Sequence, residues 1–166
     1  MLKAEYQQRG PVPQDVIAAV PFDLPELGAG EARVKVLAAP INPSDVLTLT
    51  GEYGMLPPLP AIGGNEGVGR VEAVAADVEG LKPGQMVLLP VGCGTWRSHL
   101  QVKAKQLIAL PEADPLQLAM LTVNPPTAYL MLREFVDLKP GDWVIQNAAN
   151  SGVGSYLSQL AKIRGL

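Results

Sequence analysis

The segment Asn147-Ala148-Ala149-Asn150-Ser151-Gly152-Val153-Gly154 joins a hydrophobic run, Asp142-Trp143-Val144-Ile145-Gln146, to a helical pattern that reaches Leu166. A small-residue turn between a strand and a helix suits a phosphate. Glycine lets backbone approach closely, and the first helical turn presents N–H groups without acceptors and the positive end of the helix dipole. The segment therefore reads as the opening of a dinucleotide-binding unit, with Asn150, Ser151, Gly152 and Val153 on the pyrophosphate side. It departs from G-x-G-x-x-G: Ala148 and Asn150 replace early glycines, while Gly152 and Gly154 remain. A second candidate is Tyr53, on the proline-rich stretch Glu52 to Pro60. A phenol, with an ordinary pKa of about 10, stays protonated at neutral pH, so it can donate a hydrogen bond and deliver a proton. The same ring also suits an apolar anchor that lays the loop on its domain. Asn124, just before Pro125-Pro126, reads as a helix N-cap.

Other reactive types are sparse. The single cysteine, Cys93 in Gly92-Cys93-Gly94, excludes an intrachain disulfide and a multi-cysteine zinc lobe, and with no basic neighbour apparent it reads as an inert loop thiol. The single histidine, His99, falls in a strand pattern and reads as a half-exposed strand residue. Trp96 suits either the lining of a substrate cleft or internal packing.

Brief β-branched or alternating runs between frequent glycines and prolines fill the first two thirds of the chain, which predicts a small all-β unit closing as a partly open barrel. Strands are expected over Lys3 to Gln7, Gln14 to Val20, Ala32 to Ala39, Gly69 to Ala75, Gln85 to Leu89 and Ser98 to Lys103. The alternation Ala32-Arg33-Val34-Lys35-Val36 gives one wet and one buried face. Asn42-Pro43-Ser44-Asp45 offers capping side chains to a short helix over Val46 to Thr50, stopped by Gly51. After Pro111 the spacing becomes helical, with helices opening at Asp114-Pro115 and Asn124-Pro125, so the domains are expected at residues 1–111 and 112–166. In the last helix Val153, Tyr156, Leu157, Leu160 and Ala161 make one apolar face, which in a complete fold would pack on a parallel sheet, of which this chain carries one strand, with Gly165 as the C-terminal cap.

The chain's 166 residues are 48% hydrophobic with net charge −3 and 13 scattered Lys and Arg, so no basic stripe marks a nucleic-acid partner. No run approaches the roughly 18 apolar residues of a membrane span, and Met1-Leu2-Lys3-Ala4-Glu5 lacks the blocks of a signal peptide. The expected location is cytoplasmic. The cofactor unit opens and is not completed, so the isolated chain is expected to be inactive and to associate through its unpaired strand and apolar helix, as a dimer or by swapping.

Ile41-Asn42-Pro43-Ser44-Asp45, Gly51-Glu52-Tyr53-Gly54-Met55-Leu56-Pro57, Gly63-Gly64-Asn65-Glu66-Gly67, Gly94-Thr95-Trp96-Arg97, Val123-Asn124-Pro125-Pro126-Thr127-Ala128-Tyr129 and Ile145 to Gly154 together resemble the zinc-free branch of the medium-chain dehydrogenase/reductase superfamily. Within it the chain looks like an NADPH-dependent 2-enoyl thioester reductase of the mitochondrial type. The resemblance implies a mixed α/β chain: a GroES-like partly open β-barrel, then the first β-α unit of a Rossmann domain. It implies Tyr53 as proton donor to the substrate, Asn124 as a nicotinamide-side contact, Asn150, Ser151, Gly152 and Val153 as the pyrophosphate turn, and NADPH as cofactor. Where the zinc branch carries a cysteine and a Gly-His-Glu histidine, this chain has Pro43 or Ser44 and Asn65. With one Cys and one His, a Cys₂His zinc site cannot be built. Two alternatives stand beside this reading: a zinc-free NADPH:quinone reductase, and a non-catalytic binding module.

Overall fold

The computed structural model describes residues 1–166. In chain order its elements are β1 (Leu2–Tyr6), α1 (Pro13–Val16), β2 (Ile17–Pro21), β3 (Glu31–Ala38), α2 (Pro43–Thr50), β4 (Ala61–Ile62), β5 (Val68–Val74), β6 (Met86–Leu88), β7 (His99–Lys103), β8 (Ile108–Ala109), α3 (Pro115–Leu118), α4 (Asn124–Arg133) and α5 (Gly152–Ile163). The chain divides into two compact units, Met1–Ala119 and Met120–Leu166. The first runs past Pro111 because α3 rests on β3 and β5.

In the first unit every pairing is antiparallel, in sheets ordered β2-β1-β4 and β7-β3-β5-β6-β8. The bridge Lys3–Arg97, with Ala4 N donating to Trp96 O at 2.8 Å and Ser98 N to Leu2 O at 2.8 Å, ties the two sheets together as a partly open barrel. The alternation of β3 is realised: Ala32 and Val34 are buried, joined by Val71, Val87, Leu89 and Leu100, while Lys35 is exposed. A smaller core gathers Tyr6, Leu49 and Ala61, with Val16, Ile17 and Trp96 packed against it.

Two expectations are corrected. Gln14 to Val16 is one helical turn rather than strand, because Pro13 at the first helical position presets its φ, and the strand begins only at Ile17. Asp142 to Gln146 joins no β-ladder, and Trp143 and Ile145 are 92% and 100% exposed. A strand is completed by its neighbour's hydrogen bonds, and no strand of the second unit supplies them. The expected apolar face of α5 lies on α4: Leu157 and Ala161 are buried with Ala128 and Leu132, while Val153, Tyr156 and Leu160 pack around them. Gly165, at φ 76°, closes α5 in the left-handed conformation its position requires.

Gly69, opposite Val36 in the β3–β5 ladder, has no room for a side chain: a Cβ there would stand 2.4 Å from Val34 Cγ1 and 2.7 Å from the Lys35 carbonyl oxygen. Gly69→Ala is expected to destabilise the first unit by about 1–3 kcal/mol. A urea midpoint equal to that of the parent would contradict this close approach.

Candidate functional site

The base of the site is a knot of buried polar groups where α2 begins. Asp45 accepts the Asn42 backbone N–H at 2.7 Å on one oxygen and the Asn65 side-chain amide at 2.7 Å on the other. The Asn42 side-chain amide donates at 2.8 Å to Glu66 Oε1, and the Thr95 hydroxyl donates at 2.8 Å to the Glu66 carbonyl. Asp45 is 3% exposed, and Glu66 and Thr95 are wholly buried. Burial pushes the Asp45 carboxyl up from its ordinary range, against the lowering effect of the Asn42 and Asn65 hydrogen bonds. Such groups survive inside a fold only when their hydrogen bonds are made, as they are here. The expected capping is realised: Asn42 is the N-cap of α2 in a capping box with Asp45, which takes the Asn42 N–H, while the Asn42 side-chain amide reaches on to Glu66. Asn65 spends its side-chain amide on Asp45. Proline at the head of α2 and Gly51 in the left-handed conformation at φ 87° fix the helix's ends.

Tyr53 follows directly. The N–H groups of Glu52 and Tyr53 both donate to the Leu47 carbonyl, at 2.9 and 3.1 Å, so the start of the loop is tied to the last turn of α2. The tyrosine is 38% exposed and belongs to neither hydrophobic core of its unit. Trp96 is an internal packing residue: its indole N–H donates to the Pro40 carbonyl at 3.0 Å, and its ring lies so close to Gly63 that a Cβ there would sit 2.2 Å from Cε3. Cys93 corrects one expectation, because Arg97 is beside it and donates to the Cys93 carbonyl. Burial nevertheless raises the thiol's pKa, which suits an inert residue. His99 is a strand residue with Glu72 Oε1 at 3.4 Å from Nε2 and Ser98 Oγ at 3.0 Å from Nδ1.

The remaining candidates lie in the second unit. Ser151 caps α5, its hydroxyl accepting the Gly154 N–H at 3.0 Å, and the Ser151 N–H is spent on the Ala148 carbonyl at 2.9 Å. Ala148 turns the chain at φ 50°. The amides of Gly152 and Val153, in the first turn of α5, have no acceptor within the helix. Both glycines are required by the unit's own packing: a Cβ on Gly154 would lie 2.6 Å from the Ala148 carbonyl oxygen, and one on Gly152 would lie 2.8 Å from the Asn124 side-chain nitrogen. Asn124 and Gly152 are thus brought together. The N-cap reading of Asn124 is corrected, because Val123 already has helical backbone and Asn124 is the first residue of α4, 8% exposed. A pyrophosphate fits this turn through the two free amides. A groove of about 870 Å³ runs beside it, lined by Val144, Gln146, Ser151, Gly154 and Leu157 among others.

Sequence reasoning passed over Asp45 and Glu66. The Asn42-x-x-Asp45 spacing signals a cap, but the bonds to Asn65 and Glu66 bridge 20 and 24 residues and leave no periodic trace.

Residues 28–112 match the alcohol dehydrogenase GroES-like domain family. The mitochondrial enoyl-[acyl-carrier-protein] reductase of Rattus norvegicus is 51% identical over 156 residues, covering 93% of this chain and 42% of that protein. The solved complex of Candida tropicalis Etr1p with NADP and crotonyl-CoA aligns over 99% of this chain and 52% of its own, with a TM-score of 0.93 and 35% identity. A Bacillus thuringiensis protein assigned as an NADPH:quinone reductase aligns over 98% and 49%, with a TM-score of 0.86 and 34% identity. The chain spans about half the length of these proteins. The expected cytoplasmic location finds no support among them, since the rat protein is mitochondrial. No helix of the chain is long and apolar enough to cross a membrane.

Because the folded Asp45 pKa lies above its unfolded value, its protonation favours the fold; this contribution is complete below the unfolded pKa and is lost as pH rises through the folded one. The melting-temperature difference between the parent and Asp45→Asn is therefore expected to move in the parent's favour as pH falls from about 7 to about 3. A difference that is flat or moves the other way would contradict the buried placement of Asp45.

Proposed function

The chain belongs to the alcohol dehydrogenase GroES-like family of the medium-chain dehydrogenase/reductase superfamily, and on that premise we propose that it is the substrate-side part of an NADPH-dependent 2-enoyl thioester reductase. The observation that supports this most directly is its likeness, over nearly its whole length, to an enzyme solved with NADP and crotonyl-CoA. Bound NADPH supplies the hydride that adds to Cβ of the enoyl thioester. Charge then develops on the thioester oxygen and at Cα. Tyr53 donates a hydrogen bond toward that charge and delivers the proton to Cα. Its partial exposure on a loop fixed to α2 supports this role over that of an apolar anchor. The amides of Gly152 and Val153 hold the pyrophosphate, with Asn150 and the Ser151 cap shaping the turn, and Asn124 supports it from α4.

The second unit offers one such turn and no β-ladder, so this chain by itself is expected to turn over no enoyl thioester. The exposed Trp143, Ile145 and Val136 favour a homodimer over a monomer. The likeness to the Bacillus thuringiensis protein favours a second reading, reduction of a quinone, in which no proton donor at Cα is needed.

A chimera in which residues 1–166 replace the matched portion of the rat relative separates the two. Tyr53→Phe in it is expected to lower kcat for crotonyl-CoA by about 10²–10⁴-fold while sparing quinone reduction. Unchanged kcat on crotonyl-CoA would remove Tyr53 from the chemistry. For the chain alone, steady NADPH oxidation with crotonyl-CoA, followed at the nicotinamide absorbance, would contradict the expected inactivity.

A further inference from the structure

Tyr53 is held at only one side by α2; the far side of its loop rests on Arg9, in the turn between β1 and α1. The Arg9 guanidinium donates through Nη2 to the Pro57 carbonyl, four residues past Tyr53. Its aliphatic stem lies over Gly51, where an added Cβ would stand 3.3 Å from Arg9 Cδ and 3.7 Å from Cβ. The same guanidinium faces the phenol of Tyr6, a core residue 1% exposed and packed with Leu49 of α2, and its charge opposes the raising effect of burial on that phenol's pKa. Gly10 N donates to the Leu49 carbonyl at 3.2 Å, so the turn carrying Arg9 is itself fastened to α2. Arg9 forms no ion pair with any carboxylate: its one side-chain hydrogen bond goes to a neutral loop carbonyl, beside a buried phenol.

This arrangement has a geometric meaning. A flexible loop of this length costs conformational entropy to hold in one place, and a side chain that projects into solvent inherits the disorder of its backbone. Bonds at Glu52 and Tyr53 fix the direction in which the loop leaves α2, and the bond at Pro57 fixes where it returns. Arginine is suited to the task because its planar, pre-organised fork loses less freedom per hydrogen bond than a lysine ammonium on a flexible stem.

We propose that Arg9 is a positioning residue: it clamps the Glu52 to Pro60 loop to the β1–α1 turn and thereby sets the place of the Tyr53 hydroxyl, a role that rests on Tyr53 being the proton donor. The clamp acts through the loop backbone. Arg9 itself touches no reacting atom.

The test uses the whole chain labelled with ¹³C in the tyrosine rings, in which Tyr53 is assigned by its loss in Tyr53→Phe. In Arg9→Met, which keeps the stem and removes the donors, the Tyr53 ring signal is expected to move toward the position of free tyrosine. Arg9→Lys is expected to restore part of the shift. Tyr129 and Tyr156, in the second unit, and the methyl signals of Val34 and Leu100, in the main barrel core, are expected to stay in place. An unmoved Tyr53 signal in Arg9→Met would overturn the proposal. Loss of the Val34 and Leu100 signals in both variants would overturn it equally, by making Arg9 a prop of the barrel as a whole. The donor role fails separately: a silent Tyr53→Phe in the chimera, beside a displaced Tyr53 signal in Arg9→Met, leaves the clamp standing and removes its catalytic meaning.

Discussion

A carboxylate taken out of water must be met by donors, and at Asp45 that requirement organises the first unit. Its two oxygens are met from both directions along the chain, by Asn42 at the head of α2 and by Asn65 ahead of β5, and Asn42 passes the connection on to Glu66. Removing one member leaves its partner buried and unpaired, which costs more than the bond contributes. The register of α2 against the barrel is therefore fixed by hydrogen bonds as well as by apolar packing through Leu49. Everything that leaves the far end of the helix, Gly51 and the Tyr53 loop included, takes its position from that register.

The second unit is organised differently. Its helices α4 and α5 bury Ala128, Leu132, Leu157 and Ala161 against each other, so the unit has a core of its own. What it lacks is a sheet. The run through Trp143 and Ile145 has the residues of a buried parallel strand and the exposure of a surface segment. That contrast fits a chain matching about half the length of its relatives. The tight turn at Ala148 to Gly154 is nonetheless fully formed, because its geometry depends on local contacts: the Ser151 cap, the Ala148 conformation and the close approach of Gly154 to two carbonyls.

What could be read from the sequence follows the range of the interactions. Strand β3 was legible from its two-residue period, α2 from Pro43 and Gly51, and the apolar face of α5 from its three- and four-residue spacing. The readings that failed depended on distant partners or on competing local rules. Gln14 to Val16 has residues suited to a strand, but Pro13 starts a helical turn there. Asp142 to Gln146 has strand propensity without a strand to pair with. Asn124 reads as a cap because prolines follow it, yet Val123 takes the N-cap position and Asn124 is the first residue of α4. The residue type of Tyr53 suits a proton donor and a loop anchor alike, and only a motif resemblance favours the first. The Asp45 knot and the Arg9 contact were invisible, because they join segments 20 to 48 residues apart whose partners no periodicity relates.

The claim on which this account turns is that the Asn42–Asp45–Asn65–Glu66 knot is closed in solution and holds α2 in place. Hydrogen exchange of the Asn42 backbone amide, followed residue by residue, tests it most directly, since that N–H has Asp45 as its acceptor and lies outside every strand ladder. The account predicts protection comparable to the amides of β3 paired with β5. Exchange at the rate of an open loop, with the β3 amides still protected, would contradict it.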